Sequence, residues 1–550
     1  MSTKSDSNSE TAGATTQESL DAVIVGAGFS GLFMLHKLRG MGLSAKVYEA
    51  GDGIGGTWYW NSYPGARCDI QSVEYSYQFS EDLQQDWDWS ERYASQPEIL
   101  SYLEHVADRF DLRRDVVLNT KVKSAEFDEK SSRWKVTSAD GRVADAQFLI
   151  MATGALSTIF YPDIPGRETF KGQSAHTGAW PLEGLDFQDK RVGVIGTGSS
   201  GIQCIPIIAE QAEHLTVFQR SPAYSVPAGN HDLDPDWLVE FKNDYSGLRK
   251  RNEATMGGFG SDHPINNELA MEVSEKERED QYQHRWQNVG GLLFLGAYAD
   301  LLTDPAANQT AAEFVRQKIR ETVIDPDVAE RLTPTTMIGC KRLCTDTNYY
   351  ETYNRPNVSL VDIKNSPIEE ITETGLRVGE NSYDLDCIVF ATGFDAMTGA
   401  ISNVDIRGKD GVRLTDKWAD GPVNYLGVGT AGFPNLFTIV GPGNPSVLTN
   451  MVCTIEHHVG WVAECIEYLR ANSFSAIEVT PAAELDWVAE VNAIAESTLF
   501  PTCNSWYLGA NIPGKPRVFM PYLGLPPYRE KCAEVAQSGY SGFVLTKGAV

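Results

Sequence analysis

Apolar and polar positions along the chain fall into two repeated blocks. In "DAVIVGAGFSGLFMLHKLRGMGLSAKVYEA" (21–50) an apolar run meets a glycine cluster, apolar positions recur at helical spacing, and a second apolar run follows. That order predicts strand, glycine turn, helix and strand. "KRVGVIGTGSSGIQCIPIIAEQAEHLTVFQRSP" (190–222) repeats it. Between the two, "SQPEILSYLEHVADRFDL" (95–112) puts Ile99, Leu100, Leu103, Val106, Ala107 and Phe110 on one helical face, with Ser95 and Glu98 at capping-box spacing. Segment 121–154 alternates as β-strands around an Asp-Gly turn and runs into Ala152, Thr153 and Gly154. The same Ala-Thr-Gly ending closes "YDLDCIVFATGFD" (383–395), so the chain is expected to cross between domains near 154 and 393.

These patterns predict an α/β fold with two Rossmann-like dinucleotide-binding domains. One is discontinuous (20–154 and 394–545), and the other (155–225 and 336–393) is interrupted by a charged helical insertion at 226–335. Residues 1–19, polar and rich in Ser and Thr, read as a disordered tail.

Composition narrows the partners. A chain of 550 residues exceeds one compact core. Its net charge of −28 disfavours nucleic acid and anionic membranes, which repel an acidic surface. With no apolar run of about 18 residues and no secretory signal, a cytoplasmic protein is expected. The nine cysteines are scattered and odd in number, which suits a reducing compartment better than a disulfide framework. Cys340 and Cys344 have the spacing of a metal or redox pair, but no second ligand pair accompanies them, so no metal site is expected.

The glycine turns carry the first chemistry. Gly26 permits a tight bend, Gly28 lets a pyrophosphate approach the backbone, and Gly31 lets the helix pack on the strand. Glu49 ends the next strand, where a carboxylate accepts ribose hydroxyls and repels a 2′-phosphate, so this site suits FAD or NAD. Gly196, Gly198 and Gly201 repeat the spacing, but there Arg220 and Ser221 stand in place of the acid. A guanidinium grips a 2′-phosphate with paired N–H groups, so the second site suits NADPH. Two unlike dinucleotides in one chain imply hydride transfer from NADPH to a flavin.

"FKGQSAHTGAWP" (170–181) has no periodicity, yet it carries Phe170, Gly172, His176, Trp180 and Pro181 in the spacing FxGxxxHxxxWP. Flanked by two GxGxxG turns, it resembles the fingerprint of type I Baeyer–Villiger monooxygenases. The resemblance extends through "GGTWYWNSYPGARCD", "YASQPEIL", "GVIGTGSSGIQ", "FATGFDAMTG" and "SWYLGANIPGKPRVFM", over residues 20–545, and is nearest to the phenylacetone and steroid monooxygenase subgroup. A flavin monooxygenase acting on amine nitrogen or sulfur has a similar linker without the tryptophan and proline. A disulfide reductase needs a CxxxxC where only Cys68 stands.

The resemblance implies that NADPH reduces FAD, that oxygen adds at the flavin C4a, and that the peroxyflavin anion attacks a ketone. A tetrahedral adduct then rearranges to an ester or lactone, with sulfoxidation as a side activity. Negative charge develops on oxygen throughout, so a fixed cation is required. By resemblance that cation is Arg342, oriented by Asp69. Implied FAD contacts are Gly26, Gly28, Phe29, Ser30, Gly31, Glu49, Gly56, Thr57, Trp58, Asp69 and Tyr75. Those for NADPH are Gly196, Thr197, Gly198, Ser199, Ser200, Gly201, Arg220, Ser221, Lys341 and Trp506, the last resembling a mobile lid over the nicotinamide. His176 and Trp180 are expected to couple the two domains and not to touch substrate.

The implied substrate pocket comprises Ile70, Ala155, Leu156, Leu343, Cys344, Ser446, Val447, Leu448, Met451 and Met520. Ala155 and Cys344 are small for the family, which points to bulky cyclic, aromatic or long-chain ketones. "YLGLPPYRE" (522–530) departs from the family's glycine pair, and Pro526 and Pro527 stiffen the turn, so its path stays open. The expected partner is a small-molecule ketone, with the chain a monomer or weak homo-oligomer.

Overall fold

The computed structural model describes residues 18–548. Its first sheet has the order Asp405–Arg407, Val122–Asp128, Arg133–Ser138, Val143–Met151, Glu18–Val25, Ala45–Tyr48 and Val116–Val117, with Leu436–Thr438 beside Val143–Met151. Glu18–Val25 runs parallel to both neighbours. It is covered on both faces, which is why its last four residues are all buried instead of alternating. Most of the expected tail, residues 1–17, lies outside the described residues, but Glu18 and Ser19 pair with Ala144 and Asp145, so the ordered chain starts before residue 20.

The second sheet is wholly parallel: Val358–Asp362, His214–Gln219, Arg191–Ile195, Cys387–Phe390 and Gln173–His176. Strands from 405–407 and 436–438 complete the first sheet, and the helix Met451–Ala471 packs on the first glycine-turn helix, Phe29–Gly40. Between the second sheet's strands, residues 235–332 are mainly helical. Asp234, Ser274, Asp304 and Asp325 each cap a helix there by accepting backbone N–H groups. This helical region is keyed to the first sheet's loops: Arg249 donates to the Glu74 carbonyl (2.8 Å) and Ser76 Oγ (2.7 Å), while Glu74 Oε1 accepts from Asn252 and Gly260.

Two local expectations change. The helix Gln96–Arg109 forms with Ile99, Leu103, Val106 and Ala107 buried, but Ser95 makes no side-chain cap. Glu98 turns away and accepts from Ser90 N (2.7 Å) and Oγ (3.0 Å), so a neighbouring loop captures the residue that the capping box needed. Pro526 and Pro527 open the helix Leu525–Gln537, where the missing N–H has no intrahelical partner to lose. The two Ala-Thr-Gly turns end on Gly154 and Gly393 at φ +73° and +82°, a left-handed bend that favours glycine.

Candidate active site

Both glycine turns are closed against backbone. A Cβ on Gly26 would lie 2.6 Å from the Ala152 carbonyl, and one on Gly31 would lie 1.8 Å from that of Gly26. In the second turn the same contacts recur at Gly196, 2.4 Å from Ala391 O, and Gly201, 2.3 Å from Gly196 O. Gly198 has nothing within 4 Å, leaving open the approach that a pyrophosphate requires. Phe29 and Ser30 start one helix, and Ser199 and Ser200 the other. Glu49 is buried; its oxygens accept from Ala27 N (2.7 Å) and Gly51 N (2.8 Å), which holds the carboxylate against the first turn. Gly56 touches Gly28, Thr57 opens the short helix beyond it, and Trp58 Nε1 donates to Tyr75 Oη at 3.3 Å.

At the second site Arg220 and Ser221 are exposed, and Thr197 Oγ1 donates to the Ser221 carbonyl at 3.1 Å. Burial lowers the Lys341 ammonium, and the neighbouring Arg220 charge lowers it further. Neither cation has a carboxylate partner among the described residues. Two like charges beside an open glycine turn make the local potential positive.

Arg342, from the segment that follows the helical region, reaches residues of the segments that build the first sheet. Its Nε donates to Asp69 Oδ2 (2.7 Å) and its Nη2 to Asp69 Oδ1 (2.8 Å), a bidentate pair across 273 positions. Nη1 donates to the Val447 carbonyl at 2.6 Å. Burial alone would depress this guanidinium, yet the Asp69 carboxylate outweighs it and holds Arg342 above its ordinary value, charged at every working pH. Val447 has φ +67°, rare for a β-branched residue, and this turns its carbonyl toward the arginine. Tyr507 lies against the same guanidinium; burial pushes its hydroxyl up to about 12 despite the adjacent charge.

The fingerprint, expected to be a loop without periodicity, contributes the edge strand of the second sheet and lies beside the crossing segments. His176 ends the edge strand Gln173–His176, fully buried, with rings of Tyr161 (5.1 Å) and Phe394 (6.0 Å) edge-on to it. Its Nδ1 accepts from Gly178 N at 2.9 Å, while Nε2 is buried without a partner. Desolvation lowers it to about 4, so the ring is neutral. The two crossings pair beside it through Phe160 N to Gly393 O (2.9 Å) and Asp395 N to Thr158 O (2.8 Å). Trp180 N donates to Trp60 O at 3.3 Å, and its ring packs in the second core with Tyr63 and Ala66 of the first domain's loop. A Cβ on Gly172 would meet Asp386 O at 2.5 Å; half-buried Phe170 lies in the small core beside the second sheet. Pro181 is half-buried next to Trp180.

Seven expected pocket residues (Ile70, Ala155, Leu156, Val447, Leu448, Met451 and Met520) belong to the first core or pack on it, as does Trp506. Ser446 is buried with an unpartnered Oγ. Leu343 and Cys344 instead belong to the second core, and Cys344 Sγ lies 3.5 Å from Ser199 Oγ. The strand Cys344–Asp346 pairs with Ser225–Pro227, which holds this thiol beside the second glycine turn, two residues from Arg342. Cys340 does not pair with Cys344: it forms a disulfide with Cys503, so the expectation that the cysteines do not form disulfides is corrected for this pair. Sequence reasoning missed this bond, the Val447 carbonyl and Tyr507. A signal was available for the first, since each cysteine sits within three residues of a candidate site residue, Arg342 or Trp506.

Two glycine turns and a half-buried ion pair that links segments of the two sheets define the class: an oxidoreductase built on two dinucleotide-binding sheets. A family model described as pyridine nucleotide-disulphide oxidoreductase matches residues 23–253. A solved structure of an oxidized steroid monooxygenase bound to NADP superposes with a TM-score of 0.92 at 53% identity, covering 96% of this chain and 100% of that one. The chain is 44% identical to a phenazine N-monooxygenase of Lysobacter antibioticus, over 96% of this chain and 97% of the relative. It is 42% identical to a Baeyer–Villiger monooxygenase of Pseudooceanicola batsensis, over 98% of each. The chain belongs to the type I Baeyer–Villiger monooxygenases. Among the described residues no helix is long and apolar enough to cross a membrane, and no group of three or more His, Cys, Asp or Glu side chains could hold a metal ion.

Proposed function

We propose that this protein uses NADPH and oxygen to insert one oxygen atom beside the carbonyl of a ketone, giving an ester or lactone. The observation that carries the reading is the bidentate Asp69–Arg342 pair, which links segments of the two sheets that carry the glycine turns. FAD, when bound, takes a hydride from NADPH and delivers one atom of oxygen to the ketone; the residues decide where and under what protection. The first turn, with Phe29, Ser30, Glu49, Gly56, Thr57, Trp58 and Tyr75, fits FAD, because a Cβ would fill its cradle and Glu49 would repel a 2′-phosphate. The second, with Thr197, Ser199, Ser200, Arg220, Ser221 and Lys341, fits NADPH, whose 2′-phosphate supplies the anion that two unpaired cations lack.

Arg342 holds positive charge where an oxyanion develops, Asp69 fixes its plane, and the Val447 carbonyl fixes its tilt. Trp506 covers the nicotinamide and excludes water. The fingerprint His176 and Trp180 transmit the relative position of the domains, whose boundaries we take as 20–154 with 394–545 and 155–225 with 336–393, around the insertion 226–335. The small Ala155 and Cys344, in a pocket that we assign to them together with Ile70, Leu156, Leu343, Ser446, Val447, Leu448, Met451 and Met520, favour bulky ketones, with sulfides as secondary substrates. We place the protein in the cytoplasm, acting without nucleic acid or membrane, as a monomer or weak homo-oligomer.

The test is a panel of ketones, sulfides and heteroaromatic amines with NADPH and oxygen, read by mass for products one oxygen heavier. Ketone-dependent ester formation supports the reading. Oxygen transfer to nitrogen with every ketone inert would replace it with N-oxidation, the reaction named for the Lysobacter relative.

A further inference from the structure

The segment carrying Trp506 is held at its two ends by different means. At the far end Asn511 Nδ2 donates to Phe394 O (2.8 Å), and Lys515 donates to Ala396 O (2.9 Å) and pairs with Asp395. These contacts anchor residues 511–515 to the second crossing between the domains. At the near end the hydrogen bonds of residues 503–506 stay inside the segment: Tyr507 N to Ser505 Oγ, and Leu508 N and Ala510 N to Ser505 O. The near end is joined to the rest covalently by Cys503, bonded to Cys340 with Cα atoms 6.1 Å apart, and non-covalently by buried Tyr507 against Arg342 and by Met520 N donating to Tyr507 O (3.0 Å). Cys340 lies two residues before Arg342 and Cys503 three before Trp506, so one covalent bond ties the lid segment to the arginine segment across 163 positions.

We propose that Cys340 and Cys503 form a reversible redox tether, closed when oxidised and opened when reduced, that sets how freely the Trp506 end of the lid leaves the Arg342 segment. This rests on the reading of Trp506 as a lid. With the tether closed, Trp506 is three residues from a covalent fixed point; with it open, only the non-covalent contacts of Tyr507 and Leu508 oppose its departure from the Arg342 segment. Such a cross-link acts by removing the open conformations from the ensemble.

Formation uses a hydroperoxide. The Cys503 sulfur, which keeps slight exposure where Cys340 keeps none, attacks a peroxide oxygen; the O–O bond breaks and one water leaves. The Cys340 sulfur then displaces the second oxygen from Cys503 as water. Two thiols lose two electrons and two protons, and one hydrogen peroxide becomes two waters. A dithiol reductant reverses the bond by attack at Cys503.

The test uses the full-length holoenzyme. Titration of thiols after denaturation should find seven free groups following brief hydrogen peroxide treatment and nine after a dithiol reductant. Chymotryptic cleavage within 503–515 and stopped-flow release of NADP+ should both speed by about tenfold on reduction, and Cys503→Ser should match the reduced wild type in either redox state. Nine thiols after peroxide would overturn the tether. If Trp506→Ala releases NADP+ faster while reduction changes neither rate, the tether fails and the lid stands. If neither Trp506→Ala nor reduction alters release, the lid reading fails and takes the proposal with it.

Discussion

Replacing Arg342 by alanine separates the two halves of the proposed reaction. Three N–H groups of the guanidinium are committed, two to Asp69 at 2.7 and 2.8 Å and one to Val447 O at 2.6 Å; Tyr507 lies against the remainder, which is left for a reacting oxyanion. Losing one preorganised donor at such a position costs about 10²–10³ in rate, or ~3–4 kcal/mol, and here a full charge goes with it. Hydride transfer to the flavin develops no comparable oxyanion and should survive within about tenfold. The substitution also strands Asp69. Removing one partner of a fully buried pair costs ~3–5 kcal/mol, but these side chains are 21% and 23% exposed, so we expect ~1–3 kcal/mol of folding stability. The double variant Asp69→Ala/Arg342→Ala should regain part of that loss without regaining ester formation. Anaerobic stopped-flow absorbance measures flavin reduction, product mass under oxygen measures insertion, and urea denaturation measures stability. Ester formation within tenfold of wild type, or reduction lost in step with insertion, would refute the assignment.

Arg220→Ala should raise the KM for NADPH about 10- to 100-fold, the worth of a charge-assisted contact, and leave that for NADH nearly unchanged; equal effects would reject the 2′-phosphate role. Gly201→Ala drives a methyl to 2.3 Å from the Gly196 carbonyl, so NADPH binding measured by fluorescence titration should fall at least tenfold while FAD content stays normal. Loss of FAD as well would show that the two turns are not independent. His176 is held near pH 4 against an ordinary 6.5, so between those values the unfolded chain binds more protons and stability rises with pH. Its contribution of about 3 kcal/mol is complete above pH 6.5 and lost as pH falls toward 4. His457 and His458 act in the same sense and Glu74 and Glu456 in the opposite one, so the comparison must be with His176→Phe, which should flatten the slope of stability against pH by about one proton. An unchanged slope would mean that His176 is not buried neutral.

Much of the architecture is written in short-range requirements that a sequence exposes. A carbonyl 1.8 Å from where a Cβ would stand at Gly31 allows only glycine, and the parallel strands buried on both faces demand continuous apolar runs. Both signals survive whatever the rest of the chain does. The acid at Glu49 and the base at Arg220 were legible for the same reason, each fixed by its position after a strand. Glu98 shows the limit, because a correct local pattern lost its cap to Ser90 when the loop folded over it. Docking of the two sheets decided the rest. Asp69 meets Arg342, Val447 turns its carbonyl in at a left-handed angle and Cys340 finds Cys503. Each of these joins residues more than 100 positions apart. No periodicity or spacing encodes such a meeting, because the energy that selects it resides in the packing of whole domains and not in the segments that are brought together.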